Sequence, residues 1–343
     1  MLNLICKIEI ICKDNKKISF DYCNQIEIKT SCKNLTDTAI VKVPRKMSWR
    51  EKPLTDFIAR GDKISISIGY EEHGLETLFK GYIKSIENNL PLEIHCENEM
   101  YNFKKINVPA EKIEKFDLKE YIEKYGEGVQ VEVAKDLSFG EMNITEEMTL
   151  SEALDKIMQT YTYAVGYFQD GIFKAILSTK RWSENRTPIV FDPTRNMISD
   201  SLKYTIADDI KIGIKAMSLQ RDNTQLEAFS PPKAFTVTTN KKGQKTYTIR
   251  NEWSQRTELC PQCTTQEQVQ TYADNRAAEY LTDKMEGSIT AFGVPLVRKG
   301  DMVQLKDTDR KERNGKKFVV DGVDYSFGTG GYRQNITLAY EIK

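Results

Sequence analysis

Arg60-Gly61-Asp62-Lys63-Ile64-Ser65-Ile66-Ser67-Ile68 decides the reading of this chain, because it returns in altered form as Lys299-Gly300-Asp301-Met302-Val303-Gln304-Leu305. A basic-Gly-Asp tight turn starts a strand in both places. Phe79 follows Asp62, and Phe318 follows Asp301, at the same spacing. Phe79-Lys80-Gly81-Tyr82-Ile83 then parallels Phe318-Val319-Val320-Asp321-Gly322-Val323, with two extra residues before the glycine. The expectation is an internal duplication, with a glycine bend in each hairpin partner.

Working outward, Leu4–Ile10, Ile26–Lys29, Ala39–Val43, Ile64–Ile68, Leu78–Ile86 and Leu92–Cys96 alternate or run apolar over strand-length stretches, and Pro53–Ala59 reads as one helical turn. Short strands between polar turns predict an antiparallel barrel or sandwich. The centre changes character. Asp117 with Glu120 caps a short helix that Gly126 ends, and Thr149-x-x-Glu152 opens a clearer one carrying Leu150, Ala153, Leu154, Ile157, Met158 and Tyr161. Tyr163–Phe168 and Ile172–Leu177 flank Asp170-Gly171, a hairpin signal. Towards the C-terminus, strands are predicted at Ile212–Leu219, Lys233–Thr239, Lys245–Asn251, Gly287–Ala291, Met302–Leu305, Phe318–Asp321 and Asn335–Glu341. One helix, about 265–285, interrupts them behind a Thr264-x-x-Glu267 box. The expected fold class is mainly β with α+β insertions: two related antiparallel β-barrel domains, 1–103 and 201–343, flanking a small α+β region, 104–200.

Composition narrows function. Over 343 residues, 50 Lys+Arg balance 50 Asp+Glu, which argues against sequence-independent nucleic-acid binding and against a polybasic membrane surface. No apolar run approaches the roughly 20 residues that span a bilayer. Lys7 and Glu9 interrupt the apolar start, so it reads as a first strand and not as an export signal. With only two histidines, His73 and His95, a Ser-His-Asp or Cys-His site has almost no choice of base. The seven cysteines, Cys6, Cys12, Cys23, Cys32, Cys96, Cys260 and Cys263, are irregularly spaced and read as thiols, not a disulfide framework.

Several motifs have plainer readings beside the functional ones. Cys260-Pro261-Gln262-Cys263 fits a redox pair or half a zinc site, yet no second CxxC exists, and a turn into the following helix suffices. Arg60-Gly61-Asp62 matches an adhesion tripeptide but is explained by the repeated turn. Glu71-Glu72-His73 reads as a solvated loop before it reads as acid-base machinery. Asp208-Asp209 stands alone, and Lys241, Lys242 and Lys245 mark a wet hairpin tip. Gly328, Gly330, Gly331 and Arg333 have no helix behind them to hold a phosphate. The sequence therefore assigns no catalytic, cofactor-binding or metal-ligating residue.

Gly287-Ser288-Ile289-Thr290-Ala291-Phe292-Gly293-Val294-Pro295-Leu296-Val297, the Lys299-Gly300-Asp301 turn, Gly322-Val323-Asp324-Tyr325 and Gly331–Leu338, with Leu78–Ile83 and Leu92–Cys96 earlier, carry a family likeness. Their arrangement resembles the baseplate hub proteins of contractile phage tails, including the late control D family and the Mu-like hub. The resemblance implies a non-enzymatic virion protein made in the bacterial host cytoplasm. It implies a homotrimer whose six barrels adapt a hexameric tail tube to a trimeric central spike, with tube, spike and baseplate proteins as partners and no cofactor. No spike repeats or lysozyme-like domain are visible, so these are expected on separate chains. The rival readings are a tail-associated cell-wall hydrolase using Glu71 or Glu72 with another acid, and a carbohydrate- or receptor-binding tail module.

Overall fold

The computed structural model describes residues 3–342 except 127, 136, 138, 162, 163, 178–186, 220–223, 241, 242, 244, 261, 262, 282 and 283. Alternation lays down the first strands. In β1 (Leu4–Ile11), Cys6, Ile8 and Ile10 are buried while Lys7 and Ile11 face water. β2 (Lys17–Phe20), β3 (Gln25–Ser31), β4 (Thr38–Val43), β5 (Lys63–Tyr70), β6 (Gly74–Glu87) and β7 (Leu92–Glu97) follow. They pair antiparallel in the order β1-β5-β6-β7-β4-β3, and β2 covers the outer edge of β1.

After β7 the chain builds a module with its own core around Phe103, Ile122, Leu154, Ile157 and Phe173. α1 (Leu118–Tyr125) is capped by the Asp117 carboxylate, which accepts the Glu120 N–H at 2.9 Å. β8 (Gln130–Val133) precedes α2 (Leu150–Thr160). There Glu152 N–H donates to Thr149 Oγ1 at 3.3 Å, and Thr149 N–H donates to Glu152 Oε2 at 2.8 Å. β9 (Ala164–Gln169) and β10 (Ile172–Leu177) form the expected hairpin; Asp170 (φ 55°) and Gly171 (φ 86°) supply the two positive φ values a tight hairpin turn needs.

β11 (Ile189–Phe191), β12 (Met197–Asp200) and β13 (Lys203–Thr205) come next. A second module then intervenes: β14 (Ile212–Leu219), β15 (Gln225–Ser230), β16 (Phe235–Thr239), β17 (Lys245–Ile249), β18 (Ser254–Leu259) and α3 (Gln266–Tyr280). α3 lays Val269, Tyr272 and Ala273 against Ile214 and Ala216. Its box is one residue later than expected, Thr265 with Gln268 and not Thr264 with Glu267. It also stops at Tyr280, because β19 (Lys284–Glu286) already pairs with β13. β20 (Ser288–Phe292), β21 (Met302–Leu305), β22 (Lys317–Gly328) and β23 (Arg333–Ile342) complete the chain.

These last strands repeat the first unit. Their order is β11-β21-β22-β23-β20-β12, and each strand holds the rank in sequence that its counterpart holds in β1-β5-β6-β7-β4-β3. The one reversal is β11, which lies parallel to β21 where β1 is antiparallel to β5. The repeated turns match bond for bond. Ala59 N–H donates to Asp62 Oδ2 at 2.7 Å, as Arg298 N–H does to Asp301 Oδ2 at 2.7 Å. Gly61 N–H reaches the Ile83 carbonyl at 2.8 Å and Gly300 N–H the Val320 carbonyl at 2.9 Å. Both glycines have positive φ, 93° and 80°. Each unit then skips one residue at the same point of its next ladder, Lys84 between the pairs Ile83↔Cys96 and Ser85↔His95, and Asp321 between Val320↔Leu338 and Gly322↔Thr337.

Three expectations are corrected. Phe318 is the counterpart of Gly81, not of Phe79, since Ile64 pairs with Gly81 as Val303 pairs with Phe318. The equal spacing to the two phenylalanines hides a longer connection in the first unit. Residues 189–200, read as part of the central region, supply two strands of the second unit. Finally, the two units are not separate closed barrels among the described residues. They share one 13-stranded sheet, joined where β3 pairs with β22, and one continuous apolar core from Ile8 and Ile66 to Phe318 and Ile336. Each fully buried Ile of that core contributes about 1.5–3 kcal/mol.

Candidate functional site

The junction between the units concentrates the chain's long-range polar contacts. β3 and β22 pair antiparallel from Ser31↔Gly322 to Gln25↔Gly328. The strands approach closely at both ends. A Cβ on Gly322 would lie 2.5 Å from the Thr30 carbonyl oxygen, and one on Gly328 2.5 Å from that of Asn24. Thr30 Oγ1 adds a hydrogen bond to the Val323 carbonyl at 2.9 Å.

Beside this ladder the second repeated turn docks on the first unit. Lys299 Nζ donates to Asp37 Oδ1 and Oδ2 at 2.8 and 2.6 Å, with both side chains over nine-tenths buried. Burial pushes the Asp37 carboxyl up, against the pull of Lys299. Ser31 N–H also donates to it at 3.3 Å. Arg298 fans out to the Thr77 carbonyl at 3.2 Å, Glu76 Oε2 at 3.2 Å and Asp170 Oδ1 at 3.4 Å, tying in the β9–β10 hairpin. A cleft of about 50 Å³ remains between these groups. That is room for a water or two, well below the roughly 300–1,000 Å³ of small-molecule sites. The groups lining it tie the two units and the β9–β10 hairpin together.

The motif residues of the sequence lie elsewhere. Arg60, the counterpart of Lys299, is exposed, whereas Asp62 is buried and accepts from the Lys13 and Ala59 N–H groups, so no adhesion tripeptide is presented. Glu71, Glu72 and His73 form the exposed turn between β5 and β6. His95 lies on β7, its Nε2 3.3 Å from Glu93 Oε2 and 3.5 Å from Glu87 Oε1. This trio is spaced for a cation; Glu87 is exposed, Glu93 and His95 are half-buried, and no further His, Cys, Asp or Glu ligand joins them among the described residues. Cys260 and Cys263 are buried in the core of the second module. Their mutual hydrogen bond pushes the Cys260 thiol up and holds Cys263 down, and Cys263 N–H closes the turn on the Cys260 carbonyl at 2.9 Å. Pro261, Gln262, Lys241 and Lys242 lie outside the described residues; Lys245 begins β17. Asp208 and Asp209 are exposed in a short 3-10 turn. Gly328, Gly330 and Gly331 form the β22–β23 turn, with Arg333 folded over the Phe292 ring at 4.8 Å. Sequence reading missed Asp37 and Lys299 as a pair. Lys299 is marked in the sequence by its place in the repeated turn, but nothing local marks its partner.

No family model and no curated protein matches this chain. Solved structures do. A tail protein from Neisseria meningitidis MC58 superposes with a TM-score of 0.69 at 11% identity, over 99% of this chain and 97% of that one. The 43 kDa tail protein of prophage MuSo2 from Shewanella oneidensis gives 0.66 at 13% identity, over 99% and 98%. The E. coli c3393 protein gives 0.51 at 8% identity, over 100% and 74%; it is a type VI secretion component with structural similarity to the bacteriophage T4 tail proteins gp27 and gp5. At these identities the likeness defines the fold, and this chain has the fold of phage tail proteins along essentially its whole length. None of its described helices is long and apolar enough to cross a membrane.

Proposed function

We propose that this chain is a structural, non-enzymatic baseplate hub of a contractile phage tail or related injection particle. Three copies form a ring that presents six related β units to a hexameric tail tube and threefold symmetry to a central spike. The observation that carries the reading is the repeated six-strand unit, twice in one chain and joined edge to edge. Duplication lets a trimer offer six quasi-equivalent surfaces. The full-length likeness to two tail proteins supports it, as does the similarity of a type VI component to gp27 and gp5. On this reading the two β units are the tube-like parts, with boundaries near 103 and 188, and the inserted modules decorate them. The ring belongs to the virion and assembles in the host cytoplasm, with spike, tube and baseplate proteins as partners.

Light scattering after size exclusion tests this. A ring of three 39.5 kDa chains has a mass of 118.5 kDa. A chain that stays at 39.5 kDa at high concentration, and also with the cognate spike and tube proteins, overturns the proposal.

A further inference from the structure

The junction inside the chain has an unfilled counterpart. Taking the ladders rung by rung, Lys29↔Thr38 in the first unit corresponds to Lys203↔Glu286 in the second. The strand equivalent to β3 is therefore β12 continued by β13. Likewise Ile83–Glu87 of β6 corresponds to Val320–Asp324 of β22. Within the chain, Gly322, Val323 and Asp324 pair with Ser31, Thr30 and Lys29. Among the described residues nothing pairs with the corresponding free edges, residues 85–87 on β6 and the outer side of β12–β13.

Resting on the ring reading above, we propose that these two edges pair between successive copies of this chain. Ser85, Ile86 and Glu87 of one copy lie antiparallel to Thr205, Tyr204 and Lys203 of the next. Three observations support it. The contact already exists once, within the chain, between the counterparts of these residues; Ser85 stands where Gly322 makes the close approach, so the strands lie further apart at that rung. Its charge order is preserved, since Asp324 stands opposite Lys29 and Glu87 would stand opposite Lys203; like charges there would disfavour pairing. Exposed apolar side chains gather at both edges, Leu90 (83% exposed) just past β6, and Ile198 (45%) and Ile206 (48%) around β12–β13, whereas Val323 and Phe327 at the filled junction are 1% and 6% exposed. The contact joins unlike surfaces head to tail, the type that closes into rings. It also covers the open edges at residues 85–87 and 203–205.

The test uses the full chain. A zero-length carbodiimide is applied to an equimolar mixture of ¹⁴N- and ¹⁵N-labelled protein, and cross-linked peptides are read by mass spectrometry. The expected product joins Glu87 to Lys203 with mixed isotopes. In parallel, Glu87→Lys and Lys203→Glu each raise the concentration at which the assembly dissociates at least fivefold, and the double swap restores it. Both side chains are exposed, so circular dichroism of the variants stays unchanged. A 118.5 kDa particle without that cross-link and insensitive to either swap overturns this pairing while leaving the ring intact. A chain monomeric at every concentration overturns the ring, and this pairing with it.

Discussion

Lys299→Met removes the cation at the centre of the junction while keeping its length and apolar stem. Asp37 is left 6% exposed, with its two lysine hydrogen bonds gone and the Ser31 N–H and the Asn98 side chain still beside it. Breaking a buried pair from one side costs about 3–5 kcal/mol, because the orphaned charge stays out of water. Part of that cost is relieved by proton uptake on Asp37, whose carboxyl burial already pushes up. We therefore expect a loss of about 3 kcal/mol at pH 7. The double variant Asp37→Asn/Lys299→Met leaves no buried charge and recovers at least half of the loss. Urea unfolding with linear extrapolation measures both, the midpoint shifting at constant slope. A single variant within about 1 kcal/mol of wild type, or a double variant no better than the single, refutes the view that this pair clamps the units together.

Two further outcomes follow from the same geometry. Gly322→Ala places a methyl against the Thr30 carbonyl, so β3 and β22 must separate at that end; a loss of about 1–3 kcal/mol and faster amide exchange at Thr30 and Val323 are expected, and unchanged exchange there would count against the close approach. Glu97 is buried, which raises its carboxyl, but Lys104 and Lys84 at 2.7 Å each hold it below the usual range. A depressed carboxylate stabilises above the unfolded pKa of about 4.3 and loses that contribution as pH falls through the folded value. Glu97→Gln should thus cost about 1 kcal/mol at pH 7, discounted for its half-exposed lysines, and the gap to wild type should narrow as pH falls below the unfolded value of about 4.3; a gap independent of pH assigns the effect to packing.

Local chemistry was legible in the sequence. Alternation placed the strands, Asp117 and Thr149 capped the helices expected of them, and Asp170-Gly171 turned the hairpin. The repeated Gly-Asp turns were visible because positive φ and a carboxylate returning to a backbone N–H three residues earlier demand particular residues. What lay beyond local chemistry was missed. The match of Phe318 to Phe79 slipped by two because a side chain's face is set by ladder register, which a longer loop alters silently. Residues 189–191 are too short to show a pattern, and their partner β21 lies across the second module. The fusion of both units into one sheet had no sequence signature, since edge pairing between backbones asks little of side chains beyond two glycines. Lys299 and Asp37 became a pair only once that edge was closed.

The ladder between β3 and β22 joins residues such as Thr30 and Val323, which are 293 positions apart. A ribosome adding about 5–20 residues per second needs roughly 15–60 s to reach the second from the first. For that interval the nascent β3 carries an unpaired row of amides, the kind of edge that recruits strands from other molecules. On a polysome, where many copies wait at once, the β22 strand of a neighbour that has not yet closed its own junction is chemically as good a partner as the chain's own. A junction of this span thus sets the time available for synthesis against the rate of encounter with other chains.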